Sequence, residues 1–122
     1  MAIEPLFEMT IDGKPVPQGR PKVTRTGRVY YGATCVAYRW EVTMLLRKMY
    51  QGEPLEGPVS VCLRFAGSRK GADLDNLAKL ILDAMVDAKV LVDDSAQVVS
   101  RLLLEYMPDE KPGVDIVVME WP

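Results

Sequence analysis

One amphipathic helix pattern, in the segment that follows Asp73, constrains the fold of this chain more than any other feature. Apolar residues recur there at spacings of three and four, which places them on one helical stripe facing a core: Leu77, Leu80, Ile81, Ala84, Met85 and Ala88. Asp75, Lys79 and Asp83 recur every four residues and therefore lie together on the opposite side of the helix. The pattern predicts a helix of about 14 residues, which is about 20 Å long.

Aspartates cluster at both ends of this predicted helix. Asp73 and Asp75 lie at its start, and Asp93 and Asp94 follow shortly after its expected end. The two acidic ends are too distant to meet across the helix. They converge only if Asp73 extends from a preceding strand and the Asp94 segment folds back alongside the helix. Residues 73–94 contain six aspartates and no glutamate, and this short, stiff ligand favours the near-octahedral oxygen coordination of Mg²⁺.

A purely structural interpretation of the same aspartates is also open. A carboxylate near a helix start commonly caps free N–H groups and is stabilised by the positive end of the helix dipole. Asp75 and Lys79 could form only a surface salt bridge worth roughly 0.2–0.5 kcal/mol. Asp93 and Asp94 could simply form a turn. Spacing alone does not decide between structure and metal binding.

The composition excludes several other kinds of active site. The chain contains no histidine, which excludes HNH-type nucleases, Ser-His-Asp and Cys-His hydrolases, and zinc sites with histidine ligands. Cys35 and Cys62 form no CxxC motif, which argues against a zinc ribbon or a dithiol redox site. No loop of the GxxxxGKS or GxxxxGKT type occurs, which argues against an ATPase. An acidic site here would work with metal and water.

Charge is distributed unevenly along the chain, although the net charge is only −2. Residues 13–48 contain eight Lys or Arg against Glu41 alone, a net charge of +7. The remainder contains seven basic against 16 acidic residues, a net charge of −9. Such asymmetry is typical of a DNA enzyme with a separate metal pocket.

Six cations are candidates for binding phosphates. Four of them lie in a loop or short hairpin that turns near Thr26-Gly27: Arg20, Lys22, Arg25 and Arg28. Their binding would weaken steeply with salt, and the alternative is a basic loop that is merely solvated. Arg69 and Lys70 come just before Asp73, so we expect them at the mouth of the site, in contact with the flanking phosphates.

The remaining pattern predicts the scaffold. Alternating apolar residues indicate half-buried strands in four segments: Phe7–Ile11, Val59–Phe65, Val98–Met107 and Val114–Trp121. A second helix is expected from residue 34 to about residue 50, with Thr34 as its N-cap and Gly52 just beyond its end. Its apolar residues are expected to pack rather than to stack on bases: Trp40, Val42, Met44, Leu46 and Met49.

This order of elements predicts a single α/β domain over residues 1–122, with a mixed β-sheet and two main helices packed on one face. The N-terminus lacks a charged region followed by an apolar stretch, and no run of 18 apolar residues occurs. We therefore expect a cytoplasmic protein with no membrane-spanning segment.

The acidic motif as a whole resembles the signature of the RusA family of Holliday junction resolvases. The resemblance is carried by residue types and spacings over roughly 27 positions: Asp73-Leu74-Asp75-Asn76-Leu77, Lys79, Asp83-Ala84, Asp93-Asp94 and Gln97-Val98-Val99. The basic opening Gly13–Pro17 and Gly19–Lys22 is similar to the family more loosely.

The resemblance implies roles for individual residues. Asp73, Asp75 and Asp94 would bind Mg²⁺, for which Mn²⁺ is a possible substitute, and Lys79 would be the catalytic lysine. Lys79 could stabilise the pentacovalent transition state or help to position the attacking water. Asp83 and Asp93 also match the pattern, and we expect supporting roles for them.

The resemblance further implies a Mg²⁺-dependent endodeoxyribonuclease that resolves four-way junctions by symmetric paired nicks in recombination and repair, in a phage or prophage setting. Because the junction is two-fold symmetric, we expect a homodimer with one site per subunit. Strand Val98–Leu104 and the face that carries Trp40 are candidate interfaces. Three alternatives remain: a nuclease of the same fold acting on other branched or packaging intermediates, a non-catalytic junction-binding protein, and a phosphohydrolase of small nucleotides.

Overall fold

The computed structural model describes residues 4–122 and consists of six strands and two helices. The strands are β1 (Phe7–Asp12), β2 (Lys22–Val23), β3 (Val29–Tyr30), β4 (Val59–Ala66), β5 (Val99–Tyr106) and β6 (Gly113–Glu120). The helices are α1 (Ala33–Met49) and α2 (Leu74–Asp87). Neither helix in this part of the chain is long and apolar enough to cross a membrane.

Four of the strands form one mixed sheet in the order β1-β6-β4-β5. β6 is antiparallel to both of its neighbours, whereas β4 and β5 are parallel and are connected through α2. Within the described residues β5 pairs only with β4 and is therefore an edge strand. The short strands β2 and β3 form a separate antiparallel hairpin, in which Lys22 lies opposite Tyr30.

The core lies between this sheet and the two helices, and it follows directly from the two periodicities in the sequence. Alternate residues of β4 are fully buried: Val59, Val61, Leu63 and Phe65. All six residues of the predicted α2 stripe are also buried. Burial of each large aliphatic side chain is worth roughly 1.5–3 kcal/mol, so this layer supplies much of the stability of the scaffold. The predicted α/β fold with a mixed sheet and two helices is confirmed.

The prediction for α1 is partly wrong. The helix is capped by Gly32, whose extended backbone makes no side-chain cap bond, and Thr34 is an exposed residue of the first turn. Trp40 is 66% exposed and Met49 58% exposed, although both were expected to pack. Trp40 lies about 200° around the helix from the buried Val42 at about 100° per residue, and Met49 is the last residue of α1.

Candidate active site and nucleic-acid interface

Two of the predicted site residues lie together where α2 begins. Asp73 is the N-cap residue and has an extended backbone, but its side chain caps no helical N–H group. Its Oδ2 atom instead accepts a long hydrogen bond from Nδ2 of Asn76, at 3.5 Å. Oδ1 of Asp75 accepts a hydrogen bond from the backbone N–H of Asn76, at 3.0 Å. Asn76 therefore links the two carboxylates, both of which are solvent exposed.

These contacts give little support to the interpretation that Asp73 and Asp75 act only as a helix cap and a salt-bridge partner. Asp73 does not act as a side-chain cap. Within residues 4–122 Asp75 forms no salt bridge, because Lys79 Nζ is 3.9 Å from Oδ1 of Asp83 instead. The helix dipole favours negative charge at this position, yet two carboxylates with so few protein partners remain available as oxygen ligands.

Asp94 lies elsewhere in the same chain. It belongs to an exposed turn between the C-terminal end of α2 and the start of β5. The preceding residues are held at that end of the helix, since the Val90 N–H donates to the Met85 carbonyl at 2.9 Å and the Val92 N–H donates to the Leu55 carbonyl at 3.1 Å. The segment therefore does not fold back along α2 towards Asp73.

No metal-binding cluster is completed within one chain. Among the described residues, no three Asp, Glu or Cys side chains converge closely enough to hold a metal ion. The structure thus brings Asp73 and Asp75 together and leaves Asp94 apart. Asp94 could join a divalent cation held by Asp73 and Asp75 only from a second copy of the chain or after a rearrangement of the turn that carries it.

The other two aspartates of the motif have structural contacts. Asp83 lies 3.9 Å from Lys79 Nζ and 3.7 Å from Arg39 Nη1. Nη2 of Arg39 also binds Asp87 at 2.8 Å, so this network joins α1 to α2. Hydrogen bonds from the Ser95 hydroxyl and the Ser95 backbone N–H hold the pKa of Asp93 below its usual range. The backbone bond is 2.8 Å long and stabilises the turn next to Asp94.

The basic segment that precedes α1 is anchored beside the two free carboxylates. The Gln18 N–H donates to the Asn76 carbonyl at 2.9 Å, which ties this segment to the first turn of α2. The Gly19 N–H contacts Cys35 Sγ at 3.5 Å, which ties it to the first turn of α1. Both anchors are contacts between residues far apart in sequence, so neither has a sequence signal. The Asn76 contact with Asp73 could have been expected from helical spacing.

A groove of about 670 Å³ runs along this anchored segment and is lined by cations. Arg20, Lys22 and Arg69, which were predicted to bind phosphates, line it together with Lys14. The apolar segment from Pro15 to Pro17 also lines it. Among residues 4–122, no carboxylate lines this groove. The structure therefore brings three of the six predicted phosphate-binding residues to one surface, which we call the cationic groove.

The other three predicted cations are not among the residues that line this groove. Arg25 and Arg28 lie on the exposed β2–β3 hairpin, whose turn is closed by a 2.9 Å bond from the Thr24 N–H to the Arg28 carbonyl. Gly27 has a φ of +84°, which suits glycine in a tight turn, so the predicted hairpin near Thr26-Gly27 is confirmed. Lys70 is exposed in the loop before Asp73.

None of these six cations forms a salt bridge in the part of the chain that the structure describes, whereas Arg39, Arg64, Lys79 and Lys111 each do. An unpaired cation keeps its charge available for a phosphate. A small α/β fold with free carboxylates beside unpaired cations has the features of a nuclease, because strand binding needs the cations and phosphodiester hydrolysis needs the carboxylates.

Comparison with known families agrees with this class. The family model described as endodeoxyribonuclease RusA matches residues 12–119. The chain therefore belongs to the RusA endodeoxyribonuclease family, whose members are nucleases acting on branched DNA. No curated protein matches the sequence. The membership confirms the family resemblance of the acidic motif.

Proposed function

We propose that this protein is a Mg²⁺-dependent endodeoxyribonuclease that resolves four-way DNA junctions in the cytoplasm by symmetric paired nicks during recombination and repair. The observation that carries the proposal is the 2.9 Å bond between Gln18 and Asn76. This bond holds the cationic groove, whose predicted phosphate-binding cations are unpaired, against the helix turn that bears the two free carboxylates. A DNA strand in the groove would therefore pass beside Asp73 and Asp75.

Each group would have a distinct part in the reaction. Asp73 and Asp75 would hold Mg²⁺, with Mn²⁺ as a substitute, and Asp94 would complete the ligand set. When bound, the metal supplies positive charge at the scissile phosphate and makes water more acidic. Lys79 lies one helical turn after Asp75, and its side chain is 60% exposed, so its ammonium group can reach a phosphate beside Asp75 and stabilise the developing negative charge.

We further propose a two-fold homodimer in which Asp94 of the partner subunit completes each site. The two ends of β5 support this arrangement. Its start follows the turn that carries Asp94, and its last residue, Tyr106, has its hydroxyl 3.5 Å from Ser68 Oγ in the loop that leads to Asp73. Antiparallel pairing of two β5 strands would set the start of one beside the end of the other.

The exposed edge of β5 suits such pairing. An edge strand has unpaired N–H and C=O groups, which are a template for another strand. Leu102, Leu103 and Tyr106 on this strand are each about two-fifths exposed, and a second copy would cover them. Two-fold symmetry then gives two sites per dimer, which matches the two opposed strands that must be cut in a four-way junction.

The first experiment compares an immobile four-way junction with a linear duplex of the same sequence, in Mg²⁺ and in EDTA. We expect paired nicks in opposed arms that need both Mg²⁺ and Asp75, with Asp75→Asn as the inactive variant. Tight junction binding without cleavage would instead identify a non-catalytic binding protein.

Fork, flap and packaging-type branched substrates, tested in the same assay, separate a junction resolvase from a nuclease of the same fold with another branched substrate. Preferred cleavage of the four-way junction supports the proposal, and preferred cleavage of another branch contradicts it. Hydrolysis of small nucleotides without junction binding would identify a phosphohydrolase. The cationic groove argues against that alternative, since a small substrate would not need it.

A further inference from the structure

A second surface continues from the cationic groove and is lined by exposed aromatic side chains. It is a shallow groove of about 780 Å³ between the β2–β3 hairpin and α1, and it contains Tyr30, Tyr31, Val36 and Trp40. The aromatic residues are strongly exposed, at 45% for Tyr30, 41% for Tyr31 and 66% for Trp40. Lys22 lines both this surface, which we call the aromatic groove, and the cationic groove.

We propose that the aromatic groove stacks unpaired nucleobases of the branched DNA, while the cationic groove holds the phosphates of the same strand. The inference rests on the proposed function, because it adds a structural feature of the DNA substrate. Aromatic rings beside a positively charged groove are the usual means by which proteins bind single-stranded nucleic acid. Lys22, at the boundary of the two surfaces, would contact the phosphate that joins stacked bases to the strand running towards Asp75.

Charge argues for a nucleic acid and against a second copy of this chain. In the part of the chain that the structure describes, no carboxylate lines either groove. Glu41, although next to Trp40 in sequence, is not among the lining residues. A two-fold contact through this face would set Lys22 of one copy against the same cations of the other, which is repulsive. Protein interfaces are also depleted of lysine at their centres.

The aromatic rings can use only unpaired bases. In a continuous duplex each base is covered on both faces by its neighbours, so no face is available to Tyr30, Tyr31 or Trp40. At a branch point base stacking is interrupted, and a displaced base offers a free face. The groove therefore favours a branched substrate with locally opened bases over an uninterrupted duplex.

Tryptophan fluorescence tests the proposal, because Trp121→Phe leaves Trp40 as the remaining tryptophan of the chain. This variant is titrated in EDTA with oligothymidylate of about 12 nucleotides and with a duplex of equal length. We expect saturable quenching by the single strand and little change with the duplex. Quenching by neither, or equally by both, would overturn the proposal.

Affinity measurements with matched variants give a second readout. Trp40→Ala is expected to weaken binding of the single strand by about 5- to 100-fold, the range for loss of one stacked base. Met49→Ala, an exposed apolar substitution on the same helix about 180° away from Trp40, should change the affinity by less than about 2-fold. Unchanged single-strand binding by Trp40→Ala would overturn the proposal. A Trp40→Ala variant that loses self-association instead of single-strand affinity would also overturn it.

These measurements separate the inference from the proposed function. Binding in EDTA needs no cleavage, so Trp40-dependent stacking can be observed even if junctions are never cut. If wild-type protein cuts junctions in Mg²⁺ but binds single strands independently of Trp40, the stacking proposal fails and the nuclease proposal stands. If Trp40-dependent stacking occurs without cleavage, the nuclease proposal fails and stacking stands.

Discussion

At the scale of single residues, the Tyr38 hydroxyl on α1 is a local weakness of the core. In residues 4–122 it is buried without a hydrogen-bond partner. An unsatisfied buried hydroxyl costs about 1–3 kcal/mol, and Tyr38→Phe removes it without changing the ring. We therefore expect the variant to be at least as stable as wild type in urea unfolding near neutral pH. A clear loss of stability would show that the hydroxyl has a partner.

The same hydroxyl predicts the response to alkali. Burial, with a smaller contribution from Glu41, raises the pKa of Tyr38 to about 12, whereas an unfolded tyrosine ionises near pH 10. Between these values the unfolded state releases its proton first, so the free energy of unfolding falls as pH rises. Over that pH interval the free energy of unfolding of Tyr38→Phe should fall by on the order of 2 kcal/mol less than that of the wild type. Urea titrations at both ends of the interval measure this difference, and equal losses would contradict the assignment.

Variants of two aspartates of α2 separate an effect on catalysis from an effect on stability. Asp75→Asn removes a carboxylate at the positive end of the helix, a loss of about 0.3–1 kcal/mol. Asp87→Asn breaks an exposed pair with Arg39, a loss of about 0.2–1 kcal/mol. Because the two costs are similar, a difference in junction nicking reports chemistry alone. We expect Asp75→Asn to lose about 100-fold or more of the activity and Asp87→Asn to keep it. Equal activity in the two variants would remove Asp75 from the site.

At the scale of secondary-structure elements, the β2–β3 hairpin predicts how binding responds to salt. Replacing Arg25 and Arg28 with glutamine should weaken junction binding and reduce the slope of log affinity against log salt by about 1–2. Thermal stabilisation by Mg²⁺ should remain, because the hairpin does not carry the carboxylates. Lys111→Gln, which removes an exposed cation paired with Asp12, is the control and should leave the slope unchanged. The same slope in both variants would show that the hairpin does not contact DNA.

Elements also differ in how far local sequence predicts them. The α2 stripe repeats through the whole helix, so both its length and its buried face are predictable, and the pairing of Asp73 with Asp75 follows from its first turn. Trp40 was predicted wrongly because an apolar side chain on a helix is buried only where another element covers it. The position of Asp94 depends on the contact of Leu91 and Val92 with Leu55, a long-range pairing that leaves no local pattern.

At the scale of the whole molecule, the β4-α2-β5 connection determines where the carboxylates can meet. A parallel pair of strands joined by one helix places the start of that helix at one end of the strands and its exit at the other. Asp73 and Asp75 lie at the start of α2, and Asp94 follows its exit. In the proposed dimer, a second copy paired through β5 would remove this separation, because it would supply Asp94 at the end where the first copy has Asp73 and Asp75.

Mixed dimers test directly whether two subunits share one site, as we propose. Asp75→Asn and Asp94→Asn should each be inactive alone, because every site in either homodimer lacks one ligand. When the two variants are mixed and allowed to exchange subunits, one site of each heterodimer receives intact Asp73 and Asp75 from the Asp94→Asn subunit and an intact Asp94 from the Asp75→Asn subunit. The other site carries both defects.

We therefore expect Mg²⁺-dependent cleavage to return in the mixture as single nicks, in one strand per junction, rather than as paired nicks. At equal concentrations about half of the dimers formed at random are mixed, and each mixed dimer has one intact site out of two. The number of active sites should therefore approach about a quarter of that in the wild type. If all three carboxylates act within one chain, mixing restores nothing, because each subunit then carries its own defect. Sedimentation of the mixture confirms that subunits have exchanged. If exchanged dimers show no recovered nicking, Asp73, Asp75 and Asp94 of each site come from the same chain.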